Sequence, residues 1–189
     1  IVMKTVVIFG GSGFVGQNIL YCLAKKGFRI IVPYQKPINE AKLRLFGNVG
    51  QIVPIKFKNL NEEIIQNIIK DSDVLINLKT IWNEKKILTY KNNIFNFNLQ
   101  LIDLINSVDR NKVFVFLSGL GVSENSLSIR SQYIAKVEKY ISQNLINSSI
   151  IRPSFIIGEK DQFIRKLMPI FKFSFFIPLF GSGNTKLQP

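Results

Sequence analysis

A chain of 189 residues with 47% apolar and 12% aromatic residues is too apolar to be disordered, and is long enough for one α/β domain with a real core, or one domain and part of a second. One cysteine and no histidine exclude an internal disulfide and leave no usual ligand set for a metal, and no run of about 18 apolar residues reads as a membrane span. The net charge of +13 invites a nucleic-acid reading, but the lysines (Lys25–Lys26, Lys36, Lys56, Lys58, Lys85–Lys86, Lys136, Lys139) are scattered and form no tract with interleaved aromatics, which excludes specific nucleic-acid recognition as the leading expectation.

The first element is the strand β1, Thr5 to Phe9, which runs straight into a glycine cluster and then into an amphipathic helix α1 from Phe14 to Lys26. Gly10, Gly13 and Gly16 stand three residues apart across this strand–turn–helix unit. Gly10 permits the sharp turn, Gly13 lets the main chain approach a pyrophosphate, and Gly16 lets the helix pack closely on the strand. The free amides at the helix start, from Ser12 through Phe14 and Val15 to Gly16, with the positive end of the helix dipole, suit phosphate oxygens. The buried face of α1 is expected at Ile19, Leu20, Leu23 and Ala24, with Cys22 in the same apolar pattern and Gly27 closing the helix.

Strand β2 is expected over Phe28 to Tyr34, followed by a loop at 37–47 with a short helix α2 in LRLF. Strand β3 spans Gly50 to Phe57 and contains Pro54, which is tolerable only on an edge. Helix α3 opens with Asn59 to Glu63 and carries Ile64, Ile65, Ile68 and Ile69. The apolar run Asp73 to Leu78 is a buried strand β4. Trp82 to Val108 reads as mostly helical (α4), Lys112 to Ser118 as β5, Ser131 to Leu145 as α5, and Ser148 to Ser154 as β6. Strands alternating with helices demand right-handed crossovers and a parallel sheet covered on both faces. The expected fold is a Rossmann-type doubly wound α/β sheet of order 3-2-1-4-5-6. The expected domains are a nucleotide-binding domain over 1–154 and the start of a smaller lobe over 155–189. Ile1 and the terminal LQP give the chain the look of a fragment.

Four segments, FGGSGFVG, the INL closing β4, FVFLSGLG at Phe114 to Gly121 and IIRPSFIIG at Ile150 to Gly158, make the chain resemble an atypical, extended short-chain dehydrogenase/reductase. Within that family IVPYQ, GNVGQ, RPSFIIGEKDQF and IPLFGSGNTKLQP are most similar to the NADP-binding accessory subunit of respiratory complex I, of the alpha subcomplex subunit 9 type, and its bacterial relatives. The resemblance covers essentially the whole chain. It implies that Gly10, Ser12, Gly13, Phe14, Val15 and Gly16 hold a pyrophosphate, and that the end of β2 chooses between NAD and NADP. Tyr34, Gln35 and Lys36 stand there with no acid, and Lys36 suits a 2′-phosphate as a point charge, which favours NADP(H) over NAD(H). Asn59 is the expected adenine contact, and Asn77 and Leu78, with Lys79, line the cofactor from β4. Pro153 belongs to a loop near the nicotinamide ribose.

The resemblance also implies a catalytic serine after β5 and a tyrosine with a lysine four residues on, whose charge makes the phenol a usable acid. Ser118 fits the serine. Arg130 stands where the tyrosine belongs and Ile134 where the lysine belongs. Tyr133 with Lys136, three residues on, is the substitute pair, against the plain reading of both as ordinary helix residues. The function implied is therefore a dinucleotide-binding accessory protein with a structural nucleotide, linked to respiratory-complex subunits at a membrane surface. The alternative is an active NAD(P)-dependent reductase, or a nucleotide-sugar epimerase or dehydratase. The expected location is cytoplasmic, or peripheral at the inner face of the membrane. Helix is expected from Asp161 to Phe171, and the apolar run Lys172 to Phe180 reads as core of the second lobe.

Overall fold

Side chains along a strand alternate between two faces, so a strand buried on both sides must be apolar throughout. In the computed structural model Val6 and Ile8 of β1 (Thr5–Phe9) are buried on one face and Val7 and Phe9 on the other. The structure describes residues 3–86, 88–109 and 111–158, with 161, 168, 169 and 172 beyond them. The chain divides into two units, Ile1–Arg152 and Pro153–Pro189.

The first unit is a six-stranded parallel sheet in the order β3-β2-β1-β4-β5-β6, with β2 at Arg29–Tyr34, β3 at Ile52–Lys56, β4 at Val74–Asn77, β5 at Val113–Leu117 and β6 at Ser148–Ile151. This is the expected Rossmann order. Pro54 sits opposite Val32 on β3, the outermost strand, where a missing amide costs no interior ladder bond. Helices α1 (Phe14–Lys25) and α2 (Glu40–Arg44) cover one face over Leu20, Ala24, Ile30, Val32, Leu43 and Ile52. Helices α3 (Glu63–Asp71), α4 (Phe97–Val108) and α5 (Ile129–Asn144) cover the other over Ile65, Ile69, Leu75, Leu101, Ile105, Phe114 and Ile141.

Four local expectations are corrected. Cys22 is exposed, and Ile64 is 45% exposed, so neither belongs to the buried stripe of its helix. The helix expected from Trp82 starts only at Tyr90, in a π-helical stretch, Lys91–Asn96, that continues into α4. The residues before it hold their own bonds: the Tyr90 amide donates to Glu84 Oε1 at 2.7 Å and the Tyr90 hydroxyl to the Trp82 carbonyl at 2.9 Å. Helix α5 begins at Ile129 because Ser128 caps it, its hydroxyl accepting the Ser131 amide. Of the helix expected over 161–171, only 161, 168 and 169 are described, and of the run 172–180 only Lys172. Among the described residues no helix is long and apolar enough to cross a membrane, and no group of three or more metal-ligating side chains gathers.

Candidate functional site

The carboxyl ends of β1, β2 and β4 meet around Gly10. In this strand order the chain leaves β1 for β2 on one side, and after β3 it returns to β4 on the other side, which opens a crevice there. Gly10 has φ +80°, and a Cβ on it would lie 2.8 Å from the Lys79 amide nitrogen and 2.9 Å from the Leu78 carbonyl carbon. A Cβ on Gly16 would lie 2.5 Å from the Gly10 oxygen and 2.6 Å from the Gly11 Cα. Gly10 is thus required by its φ and by the backbone leaving β4, and Gly16 by the packing of α1 on the turn that follows β1. Gly13 is different: it is exposed, its φ is an ordinary −74°, and its Cβ would meet only the Gly10 oxygen, at 3.3 Å. The packing asks less for a glycine at 13, where a Cβ would press on one backbone oxygen, than a ligand approaching the main chain does.

Helix α1 starts at Gly13 with no side-chain cap and no acid in its first turn. Among the described residues the amides of Phe14, Val15 and Gly16 have no acceptor, so three donors and the helix dipole point out of the turn. The turn itself is braced by the Gly13 amide on the Gly10 oxygen at 3.1 Å and by Gln17 Nε2 on the Ser12 oxygen at 2.8 Å. Gln17 Oε1 is buried without a partner among the described residues.

At the end of β2 the Tyr34 hydroxyl donates to Glu40 Oε1, a bond that raises its pKa, with burial adding to the effect. The other Glu40 oxygen takes Arg44 Nη2 at 2.8 Å. A carboxylate therefore does stand near β2, folded back by α2, but both its oxygens are engaged. Gln35 is the bridge of this corner: its Nε2 donates to the Lys58 carbonyl at 2.8 Å, and its Oε1 accepts Lys79 Nζ at 2.6 Å. The Lys79 ammonium also lies 3.5 Å from the centre of the Phe97 ring, and burial, followed by the field of Lys36, holds its pKa down to about 8. Lys36 itself is exposed. Asn59 turns back on its own loop, its Oδ1 accepting the Asn61 amide at 3.0 Å, while Glu62 takes the amides of Lys58 and Asn59 and is held below the usual carboxylate range by them.

The exit of β4 is fixed by a buried pair that the sequence did not announce. Asn77 Nδ2 donates to Asn98 Oδ1 at 2.6 Å, Asn98 Nδ2 donates to the Ile94 carbonyl at 2.6 Å, and Asn77 Oδ1 accepts the Lys79 amide at 3.0 Å. Leu78 follows half-buried, its amide on the Phe9 oxygen at 2.9 Å. Ser118 closes β5 with its amide on the Ile151 oxygen at 2.8 Å, and its hydroxyl is buried with no partner among the described residues. A buried hydroxyl left without a partner is the kind of group a ligand atom satisfies.

Arg130 is anchored across the fold. Its Nε donates to the Ile81 carbonyl and its Nη2 to Thr80 Oγ1, both at 2.9 Å, and its guanidinium lies 4.3 Å from the centre of the Trp82 ring. Burial lowers its pKa from the ordinary value. Ile134, one turn on, is 4% exposed and belongs to the core. Tyr133 packs on Phe95, with ring centres 5.9 Å apart, and Lys136 Nζ lies over the Tyr133 ring at 5.5 Å from its centre. The lysine thus meets the face of the ring. Pro153 opens the second unit. The residues at the ends of β1, β2 and β4 converge through these bonds; Tyr133 and Lys136 form a separate contact on α5.

A profile of the NAD dependent epimerase/dehydratase family matches residues 6–173. The chain is 30% identical over 183 residues to NADH dehydrogenase (ubiquinone) 1 alpha subcomplex subunit 9, mitochondrial, of Dictyostelium discoideum, an alignment covering 96% of this chain and 50% of that protein. It is 29% identical over 183 residues to the Arabidopsis thaliana protein of the same name, covering 96% of this chain and 46% of that one. The chain thus spans about half the length of these curated relatives. Among solved structures it is similar to MoeE5 in complex with UDP-glucuronic acid and NAD, with a TM-score of 0.70 at 16% identity over 88% of this chain and 61% of that one, a likeness of fold.

Proposed function

The chain belongs to the NAD dependent epimerase/dehydratase family, and we propose that within it this protein holds NADP(H) as a structural nucleotide, in an accessory role beside the respiratory NADH dehydrogenase. The observation that carries the binding half is Gly13: an exposed position with ordinary backbone angles, beside three unpartnered amides, where a close-lying ligand calls for the absence of a side chain. The pyrophosphate would sit on the amides of Phe14, Val15 and Gly16, and Ser118 would supply its free hydroxyl to the nicotinamide end. Asn77 and Leu78 would line the crevice from β4. The preference for NADP(H) is supported by Glu40, the carboxylate near β2, having both oxygens engaged, and by Lys79 on Gln35 with Lys36 acting on it past the end of β2.

A bound nicotinamide ring supplies hydride chemistry, and what this chain's own residues lack is a tuned proton donor. Arg130 stands where the family's tyrosine belongs and is spent on Thr80, Ile81 and Trp82. Ile134 stands where the lysine belongs, inside the core. General acid–base assistance is worth roughly 10²–10⁴ in rate, so its loss leaves a binding protein with residual activity at best. The contact of Lys136 with Tyr133 supports the second reading, an active reductase or a nucleotide-sugar epimerase, only if the lysine can act on the hydroxyl from the ring face. The accessory role rests on the printed names of the relatives, of whose length this chain covers about half.

The test is the nucleotide released when the purified protein is denatured. NADP(H) in near-stoichiometric amount supports the reading. Release of NAD(H) overturns the preference, and failure of the protein to bind either added nucleotide overturns the reading itself.

A further inference from the structure

Lys79 leaves the end of β4 and its ammonium reaches Gln35, beyond the end of β2, at 2.6 Å; β1 and its glycine turn lie between those two strands. The ammonium is half-buried against the Phe97 ring, and among the described residues no carboxylate forms an ion pair with it. Its one hydrogen-bond partner among them is the neutral amide of Gln35, which is itself fixed to the Lys58 carbonyl. The nearest charge to act on it is a second cation, Lys36. The carboxylates of the neighbouring elements are taken: Glu40 by Tyr34 and Arg44, Glu62 by the amides of Lys58 and Asn59. A partly desolvated ammonium beside a like charge, with no counter-ion, is costly unless an anion arrives.

The pyrophosphate has its own donors at the start of α1, so the anion suited to this corner is a second phosphate on the adenosine side. Resting on the dinucleotide reading above, we propose that Lys79, aimed by Gln35 and supported by Lys36, is the counter-charge for the 2′-phosphate of NADP(H) and sets this chain's choice between the two dinucleotides. The charge comes from β4, not only from the β2 end where the sequence places it. Gln35 holds the ammonium in place without neutralising it, which a carboxylate at that position would do.

Calorimetric titration of the protein with NADPH and with NADH tests this. Loss of one charge-assisted contact should weaken NADPH about ten- to a hundredfold in Lys79→Met and in Lys79→Gln. NADH affinity should fall far less than NADPH affinity, thermal unfolding shows that the variants are folded, and Lys79→Arg should keep the preference for NADPH. Equal weakening of both nucleotides would place the charge on the pyrophosphate and overturn the inference, as would unchanged NADPH affinity. If the unsubstituted protein binds neither nucleotide, the dinucleotide reading falls with it, a result distinct from the first two.

Discussion

Asn77 at the end of β4 and Asn98 in α4 are both fully buried and share a hydrogen bond of 2.6 Å, a polar link between strand and helix where β4 leaves the sheet. Each side chain has a further bond besides the shared one: Asn98 donates an amide hydrogen to the Ile94 carbonyl, and Asn77 accepts from the Lys79 amide. Replacing Asn98 by leucine fills the volume but leaves the Asn77 donor without a partner. Such a stranded buried group costs about 1–3 kcal/mol. Denaturant unfolding of Asn98→Leu should show that loss; a midpoint equal to that of the unsubstituted protein would mean the pair is dispensable.

Two glycines of the turn, Gly13 and Gly16, should separate on substitution. Gly16→Val places atoms within 2.6 Å of the Gly10–Gly11 backbone, so α1 must leave its seat and both stability and binding should fall. Gly13→Val meets only one oxygen at 3.3 Å and needs no unusual φ. It should melt close to the unsubstituted protein yet lose dinucleotide binding. Thermal unfolding read beside nucleotide titration checks the contrast; a Gly13→Val protein that still binds would remove the ligand from this turn.

The sheet was legible because its signals are local. Strands β1, β2, β4 and β5 are short apolar runs, the longer helices have their own stripes, and Pro54 marks an edge without reference to any distant residue. The glycine turn was legible for the same reason, whereas Ser118 was singled out by the resemblance. What escaped depends on the strand order bringing distant residues together. Lys79 and Gln35 are 44 positions apart and meet because β2 and β4 flank β1. Arg130 reaches Thr80 and Ile81 over 50 and 49 positions. Asn98 reads as a solvated asparagine until α4 is laid on β4, and Glu40 looks too far beyond Tyr34 to be its partner until α2 folds it back.

The pH dependence of Lys79 has a definite direction. Its pKa in the folded chain, about 8, lies below the ordinary 10.5, so between those values the unfolded chain binds a proton that the folded chain does not. Stability from this group is lowest below about 8 and rises as the pH climbs toward 10.5. The unliganded protein should therefore gain stability relative to Lys79→Met across that window, the tyrosines being common to both. NADPH affinity should run the other way, falling as the pH rises through about 8, because the ammonium beside Gln35, Lys36 and Phe97 then loses its charge. A stability difference flat with pH would show that Lys79 is not perturbed.

The account stands or falls on a nucleotide that is held and not consumed. The direct measurement follows NADPH fluorescence and absorbance together while the protein is offered a panel of carbonyl compounds and nucleotide sugars. The predicted result is a fluorescence change that saturates on binding, with absorbance constant, as the proposed replacement of the proton donor and its lysine by Arg130 and Ile134 requires. Steady loss of NADPH absorbance that disappears in Tyr133→Phe would contradict it, and would make Tyr133 with Lys136 the working pair of an enzyme.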